Sequence, residues 1–227
     1  GDQAVIKKGD KIIYYGGKTQ SAEKNTRVKA RVKAHALKEM LITKDRVIIM
    51  GHKKPDIDCL GSALGIYRLA SMMDKKAHIV INEVTSSIRP AMNNFIGSTV
   101  YPEDMFFNSE QALEAIDGNT VVIVVDVNRP HLTECEELLA HTKNIVVIDH
   151  HRQSGEVIDH ATLSYIEPYA SSACEMVAEI LQYSMDKPKL RPAEADAMYA
   201  GILVDTDNFV TKTGVRTFEA ASFLRKS

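Results

Sequence analysis

Four short apolar runs each end in ionisable residues, and that pattern leaves few folds open to this chain. Ile145-Val146-Val147-Ile148 runs into Asp149-His150-His151, and Val47-Ile48-Ile49-Met50 into Gly51-His52-Lys53-Lys54-Pro55-Asp56-Ile57-Asp58. Val121 to Val125 runs into Asp126, and Ala200-Gly201-Ile202-Leu203-Val204 into Asp205-Thr206-Asp207. Near-continuous Val/Ile runs separated by helical patterns indicate a parallel sheet covered on both faces. Such sheets place their chemistry at the carboxyl ends of strands. The pattern predicts a doubly wound, mainly parallel α/β domain with helices on both faces. It also predicts that one edge gathers carboxylates and imidazoles, as a metal site requires.

Periodicity fills in the elements. Gln3 to Ile6 and Lys11 to Tyr15 read as a hairpin around Lys7-Lys8-Gly9-Asp10, followed by a break at Gly16-Gly17 and Thr19 to Ser21. Asn25-Thr26 reads as the cap of a helix over 27–41, with Val28, Val32, Ala36, Leu37 and Met40 on one face. From Arg46 on, strands and helices alternate. Helices are expected near 60–73, 88–96, 109–116, 133–139, 172–183, 193–204 and 215–225, with further strands at 78–81 and 163–166. A lone hairpin is not independently stable, so residues 1–20 are expected to belong to a preceding domain or to pack on this one. Residues 21–45 then read as a linker helix, and 46–227 as the α/β domain.

Composition narrows the class. Cys59, Cys135 and Cys174 are scattered and odd in number, which fits a reducing cytoplasm better than a disulfide framework. No apolar stretch approaches the ~20 residues needed to span a bilayer, so this segment is expected to make no membrane contact. Residues 1–46 hold twelve Lys or Arg against five Asp or Glu, and the remainder sixteen against twenty-five. The basic opening lacks interleaved aromatic residues, so a solvated helix face explains it better than binding to long nucleic acid. The acidic body suits a domain that holds divalent cations.

The candidate ligands are His52, Asp56, Asp58, Asp126, His150 and Asp205, with Asp149 and His151 beside them. Asp56 and Asp58 stand two apart beside a proline and glycine, which reads as a loop aiming two neighbours at two cations. Asp126 and Asp205 arrive singly, as expected of strand-end residues that bridge or close a binuclear site. Oxygen and imidazole donors without thiolate favour Mn²⁺ over structural Zn²⁺, with Mg²⁺ or Co²⁺ as substitutes. Two such cations roughly 3.5–4 Å apart would activate a hydroxide and neutralise a phosphoryl oxygen, so phosphoester hydrolysis is the expected reaction. Plainer roles compete: a lone Asp126 also suits a helix N-cap, and Asp207 a cap or turn. His35, His78, His131, His141 and His160 read as surface or satisfied residues, and Ser171-Ser172 as a helix cap.

Taken in order, His52-x-x-x-Asp56-x-Asp58, Asp126, Asp149-His150-His151 and Asp205 resemble the four motifs of the DHH phosphoesterase superfamily. Within it, residues 51–58 and the stretch Glu167-Pro168-Tyr169-Ala170-Ser171-Ser172-Ala173-Cys174-Glu175 are similar to the GdpP-type cyclic-di-AMP phosphodiesterases. These are bacterial membrane proteins with a degenerate GGDEF domain ahead of the DHH module. The resemblance implies that residues 1–20 are the tail of that GGDEF domain, and that the cytoplasmic module belongs to a membrane-anchored parent. It implies one cation on His52, Asp56 and Asp126, and another on Asp58, Asp126, His150 and Asp205. Asp149 would orient the imidazoles, and His151 would face the scissile phosphate. The expected substrate is cyclic di-AMP and the product linear pApA, with a homodimer possible. Members also carry a DHH-associated domain with a Gly-Gly-Gly-His motif that this sequence lacks, so slow turnover by this chain alone is expected. Short RNA, single-stranded DNA, pyrophosphate, or a non-catalytic regulatory role are the competing readings.

Overall fold

The computed structural model describes the backbone of residues 4–8, 11–15 and 19–227, with side chains from Thr26 onward. The expected Gly9-Asp10 turn and the Gly16-Gly17 break lie outside the described residues. β1 (Ala4–Lys8) and β2 (Lys11–Tyr15) pair antiparallel as a two-stranded sheet, with Ala4 opposite Tyr15. α1 (Thr19–Ile42) starts well before the expected cap, so Asn25-Thr26 lies inside it. Ala22, Glu23 and Lys24 are strong helix formers that carry the helix across that point. Its buried stripe is Ala30, Ala34, Leu37 and Leu41, whereas Val28 and Val32 are exposed. Small alanines at that spacing let α1 approach its neighbour α6 (Ala173–Ser184) closely, and the Ser184 hydroxyl of α6 donates to the Ala34 carbonyl (3.4 Å).

The main sheet contains β3 (Arg46–Met50), β4 (Lys76–Val80), β5 (Phe106–Phe107), β6 (Thr120–Val125), β7 (Ile145–Asp149) and β8 (Leu163–Ile166). Its spatial order is β5-β4-β3-β6-β7-β8, and every pairing is parallel. Alternate residues of the apolar runs feed two cores. Val47, Ile49, Val121, Ile123 and Ile148 pack with α1, α2 (Ile57–Met72), α6 (Ala173–Ser184), α7 (Pro192–Asp205) and α8 (Val215–Arg225). Ile48, Met50, Val122, Val124 and Val147 pack on the other face with α4 (Ser109–Ala115) and α5 (Leu138–His141). Both faces are therefore covered, as expected for a doubly wound domain.

The chain runs outward from β3 to β4 and β5, then returns to add β6, β7 and β8 on the other side of β3. The order reverses between β3 and β6, and a crevice opens at their carboxyl ends at such a reversal. Some elements differ from expectation. The helix expected over 88–96 shortens to α3 (Arg89–Met92). The one expected over 133–139 is replaced by a 3₁₀ turn at Pro130–Leu132 and the late α5, because Thr133 pairs as an isolated bridge with His52.

Candidate metal centre

Four pieces of backbone deliver the side chains of the site: the β3–α2 connection, the end of β6, the end of β7 and the end of α7. β3 leads into Gly51, where a Cβ would stand 2.0 Å from Cys59 Sγ and 3.3 Å from the Val125 carbonyl oxygen, so only glycine lets β3 pass there. His52 follows, and its Nδ1 lies 2.9 Å from the Lys53 carbonyl. A carbonyl only accepts, so Nδ1 carries the proton and Nε2 faces the site.

Asp56 is not a loop residue but the N-cap of α2, its Oδ1 accepting from Asp58 N and Cys59 N (3.0 Å each). Asp58 accordingly sits in the first helical turn. Pro55 stands just ahead of the cap, outside the helix, so it removes none of the helical hydrogen bonds.

Asp126 leaves β6 in the left-handed region (φ 59°), a conformation that Asp tolerates better than bulky residues. No helix starts there, so the cap alternative does not hold. Asp149 ends β7, with His150 and His151 directly after it. Asp205 is the last residue of α7, so it reaches the site from the end of the helix expected near 193–204, and not from the strand end that its apolar run alone suggests. Asp207 has φ 47° in the turn beyond.

These pieces converge. His52 Nε2 lies 3.6 Å from Asp126 Oδ2 and 3.8 Å from Asp56 Oδ1. His150 Nε2 lies 3.3 Å from Asp126 Oδ1, 3.3 Å from Asp205 Oδ2 and 3.7 Å from Asp58 Oδ2. The two oxygens of Asp126 thus face different clusters. Asp58, His150 and Asp205 bring one donor atom each within 4.8 Å of one another, and so do Asp126, His150 and His151. Asp126 Oδ1 and His150 Nε2 are both buried and have no hydrogen-bond partner. Buried polar atoms are normally paired, and a cation between these two would satisfy both. The donors therefore fit divalent metal ions.

Electrostatics point the same way. The Asp126 and Asp56 carboxylates push His52 up to about 11. Burial and the neighbouring Asp126 and Asp205 carboxylates push Asp58 up to about 8. Burial opposes the charged form of His150, yet Asp126, Asp58 and Asp205 together raise it. So many negative groups in one buried place draw in positive charge, and divalent cations are the groups that answer that demand.

Supporting contacts include several that sequence reasoning missed. Both oxygens of Asp58 accept from the first turn of α6, Oδ2 from Ala173 N (2.7 Å) and Oδ1 from Cys174 N (2.9 Å). Two helix N-termini, of α2 and α6, therefore stabilise one buried carboxylate. Asp149 is fully buried; its Oδ1 lies 2.7 Å from His151 Nδ1 and its Oδ2 accepts from Asn128 Nδ2 (2.5 Å). That bond leaves Nε2 of His151 as the nitrogen available to a ligand, with the Asp149 carboxylate raising the affinity of the ring for a proton. Asn128 stands two residues after Asp126, and that spacing was its only signal. Cys59 Sγ lies within 4.8 Å of donor atoms on His52 and Asp126. Burial and the Asp126 charge push its thiol well above the usual range, so it remains a weak, neutral donor.

The cluster opens into a cavity of about 450 Å³ that Lys53, Arg129 and Arg152 also line. Acidic floor and basic rim suit a phosphorylated ligand whose phosphate meets the cations and the rim together. Of the histidines set aside, His78 is buried, held 2.7 Å from the Asp104 carbonyl and stacked on Phe107.

Comparisons with known proteins agree with this picture. The DHH family, N-terminal domain, matches residues 46–202. The chain is 46% identical to the cyclic-di-AMP phosphodiesterase GdpP of Geobacillus thermodenitrificans over 99% of its length and 34% of that protein. It is 43% identical to the cyclic-di-AMP phosphodiesterase PdeA of Listeria monocytogenes, again over 99% of this chain and 35% of the relative. It therefore spans about a third of the length of these relatives. Among solved structures, an exopolyphosphatase-related protein from Bacteroides fragilis superposes with a TM-score of 0.69 at 20% identity. That match covers 86% of this chain and 56% of the other, and is a likeness of fold.

Proposed function

Because the chain belongs to the DHH family, we propose that it is the hydrolytic module of a cyclic-di-AMP phosphodiesterase, cutting the ring to linear pApA with the help of two divalent cations, Mn²⁺ foremost. The observation that carries this reading is the buried, unpartnered pair Asp126 Oδ1 and His150 Nε2, 3.3 Å apart, with Asp126 Oδ2 turned to His52. His52, Asp56 and Asp126 would hold one cation, and Asp58, Asp126, His150 and Asp205 the other. When bound, the cations supply a nucleophilic water and polarise the phosphoryl group.

The chain's own residues do the rest. Asp149 holds His151 by Nδ1, so Nε2 faces the phosphate and stabilises its charge or assists the departing oxygen. Lys53, Arg129 and Arg152 at the rim draw the dianionic ligand in and orient it. Identity to phosphodiesterases of cyclic di-AMP across nearly the whole chain supports that substrate over the others.

The test is a Mn²⁺ titration with nucleotide products followed by chromatography in the same samples. Two Mn²⁺ per chain and conversion of cyclic di-AMP to pApA are expected. Two Mn²⁺ with turnover of short RNA or pyrophosphate alone would defeat the substrate assignment. Absence of binding would defeat the metal reading itself.

A further inference from the structure

One buried polar network lies outside the chemistry described so far, and it ends on Asp58. Both oxygens of that carboxylate rest on α6 amides, so Asp58 is held only as firmly as the first turn of α6. Glu175 ties that turn together. Its Oε2 accepts from the Ser171 hydroxyl (2.5 Å), the Ser171 N–H (3.3 Å) and the Thr217 hydroxyl of α8 (2.6 Å). Ser172 caps the same turn by accepting from Glu175 N (3.0 Å).

A neighbouring α8 side chain fixes the helix pair. Arg216 makes a two-pronged pair with Glu179 of α6 (2.6 and 2.5 Å), reaches the Tyr165 hydroxyl of β8 (3.3 Å), and comes within 3.9 Å of Glu175 Oε1. Glu175, Glu179, Arg216 and Thr217 are all buried. Desolvated charges persist where their partners are fully satisfied, and such networks hold one geometry. α8 lies wholly beyond residue 202, where the family match ends.

We infer that Thr217 and Glu175 are positioning residues for the cation that Asp58 holds. The α8 hydroxyl fixes Glu175, Glu175 fixes the Ser171-Ser172 turn, and that turn aims the two amides that orient Asp58. The inference rests on the two-cation reading above. Outer partners of metal ligands commonly change affinity by about 10–100-fold when removed, without touching the metal.

The experiment is a Mn²⁺ titration of the 227-residue chain, read by the paramagnetic resonance signal of free Mn²⁺, with thermal unfolding recorded alongside. Thr217→Val should still fold and bind two Mn²⁺, but with one affinity about tenfold weaker. Thr217→Ser, which restores the hydroxyl, should restore that affinity. In a His52→Ala background, Thr217→Val should weaken the remaining tight cation, because the two substitutions act on different positions. A folded Thr217→Val chain with both affinities unchanged would overturn the inference, since a purely architectural network lowers stability and leaves the metal affinity of the folded chain intact. Should Thr217→Val not fold, Glu175→Gln keeps the volume and one acceptor oxygen and decides by the same readout. A parent chain that binds no Mn²⁺ would instead remove the two-cation reading, and the inference with it.

Discussion

Asp126 combines a left-handed backbone, near-complete burial and two oxygens that face different imidazoles. Losing it removes the donor common to both clusters, so Asp126→Ala should abolish tight Mn²⁺ binding at both positions. His52→Ala should weaken one position by at least tenfold and leave the other near its parent value. Calorimetric titration separates these outcomes, and retention of two tight cations in Asp126→Ala would refute the shared role. Glu134 offers a test of burial free of metal. Its Oε1 accepts from Asn82 N (2.6 Å), its Oε2 is buried without a hydrogen-bond partner, and burial raises its carboxyl. A carboxyl raised in the folded state keeps its proton to higher pH than in the unfolded chain. Its contribution is therefore present at acid pH and lost as pH rises through the carboxylate range toward the folded value. Glu134→Gln keeps an acceptor for Asn82 and cannot ionise, so its Tm relative to the parent should be higher at pH 7 than at pH 4. A difference independent of pH would show that the Glu134 carboxylate costs nothing there. At this scale the sequence was informative for candidate ligands, because Asp and His after apolar runs stand out, and the fold brings them together. Asn128 and the amides of Ala173 and Cys174 have no such chemical signature, and only the fold brings them to Asp149 and Asp58.

Elements meet at the site through three helix ends. α2 and α6 present their N-termini to Asp58, whereas α7 brings Asp205 on its last residue. The approach depends on glycine. A Cβ on Gly201 of α7 would stand 2.6 Å from Cys174 Sγ, 2.9 Å from Asp58 Cα and 3.0 Å from Asp58 Oδ1. Helix propensity alone would make Gly201→Ala favourable by ~1 kcal/mol. Overpacking of roughly 1–3 kcal/mol opposes that gain, and backbone at Asp58 cannot yield as a flexible side chain can. Gly201→Ala should therefore lower stability and weaken Mn²⁺ binding, while Gly118→Ala, which meets nothing within 4 Å, should leave binding unchanged. Equal metal affinities in the two variants would remove this reason for the glycine. The sequence pattern around Asp205 was ambiguous because five apolar residues suit either a strand end or a buried helix. Helix won because Pro192 starts an uninterrupted run and α7 packs against α2 on an already covered sheet face. Asp58 misled for a related reason: a proline ahead of a cap lies outside the helix and breaks none of its hydrogen bonds, yet in isolation it reads as a breaker.

Across the whole molecule, the site occupies the reversal of strand order between β3 and β6, and that placement was legible in the sequence as apolar runs ending in charge. What those runs did not specify was burial on α1, where alanines face the core and Val28 and Val32 face outward. Packing distance between helices, not hydrophobicity, selected that stripe. The same architecture predicts how metal and stability are linked. The folded chain collects Asp58, Asp126, Asp205 and the His52 and His150 imidazoles that the unfolded chain scatters, so any cation held there should bind the folded state selectively. At a free concentration of 100 times Kd, one bound ion adds about 2.7 kcal/mol of stability. For a domain of this size, each kcal/mol raises Tm by about 2–4 °C. Mn²⁺ should therefore raise Tm by about 5–11 °C for each ion held, and a chelator should return it to the metal-free value. In Asp126→Ala the shift should nearly vanish; because that variant also loses one negative charge from a crowded cluster, the quantity compared is the difference between each chain's metal-loaded and metal-free Tm. Scanning calorimetry at stepped Mn²⁺ concentrations distinguishes the cases. A parent Tm indifferent to Mn²⁺, or an equal rise in parent and variant, would mean that the convergent carboxylates do not bind the ion selectively in the folded state.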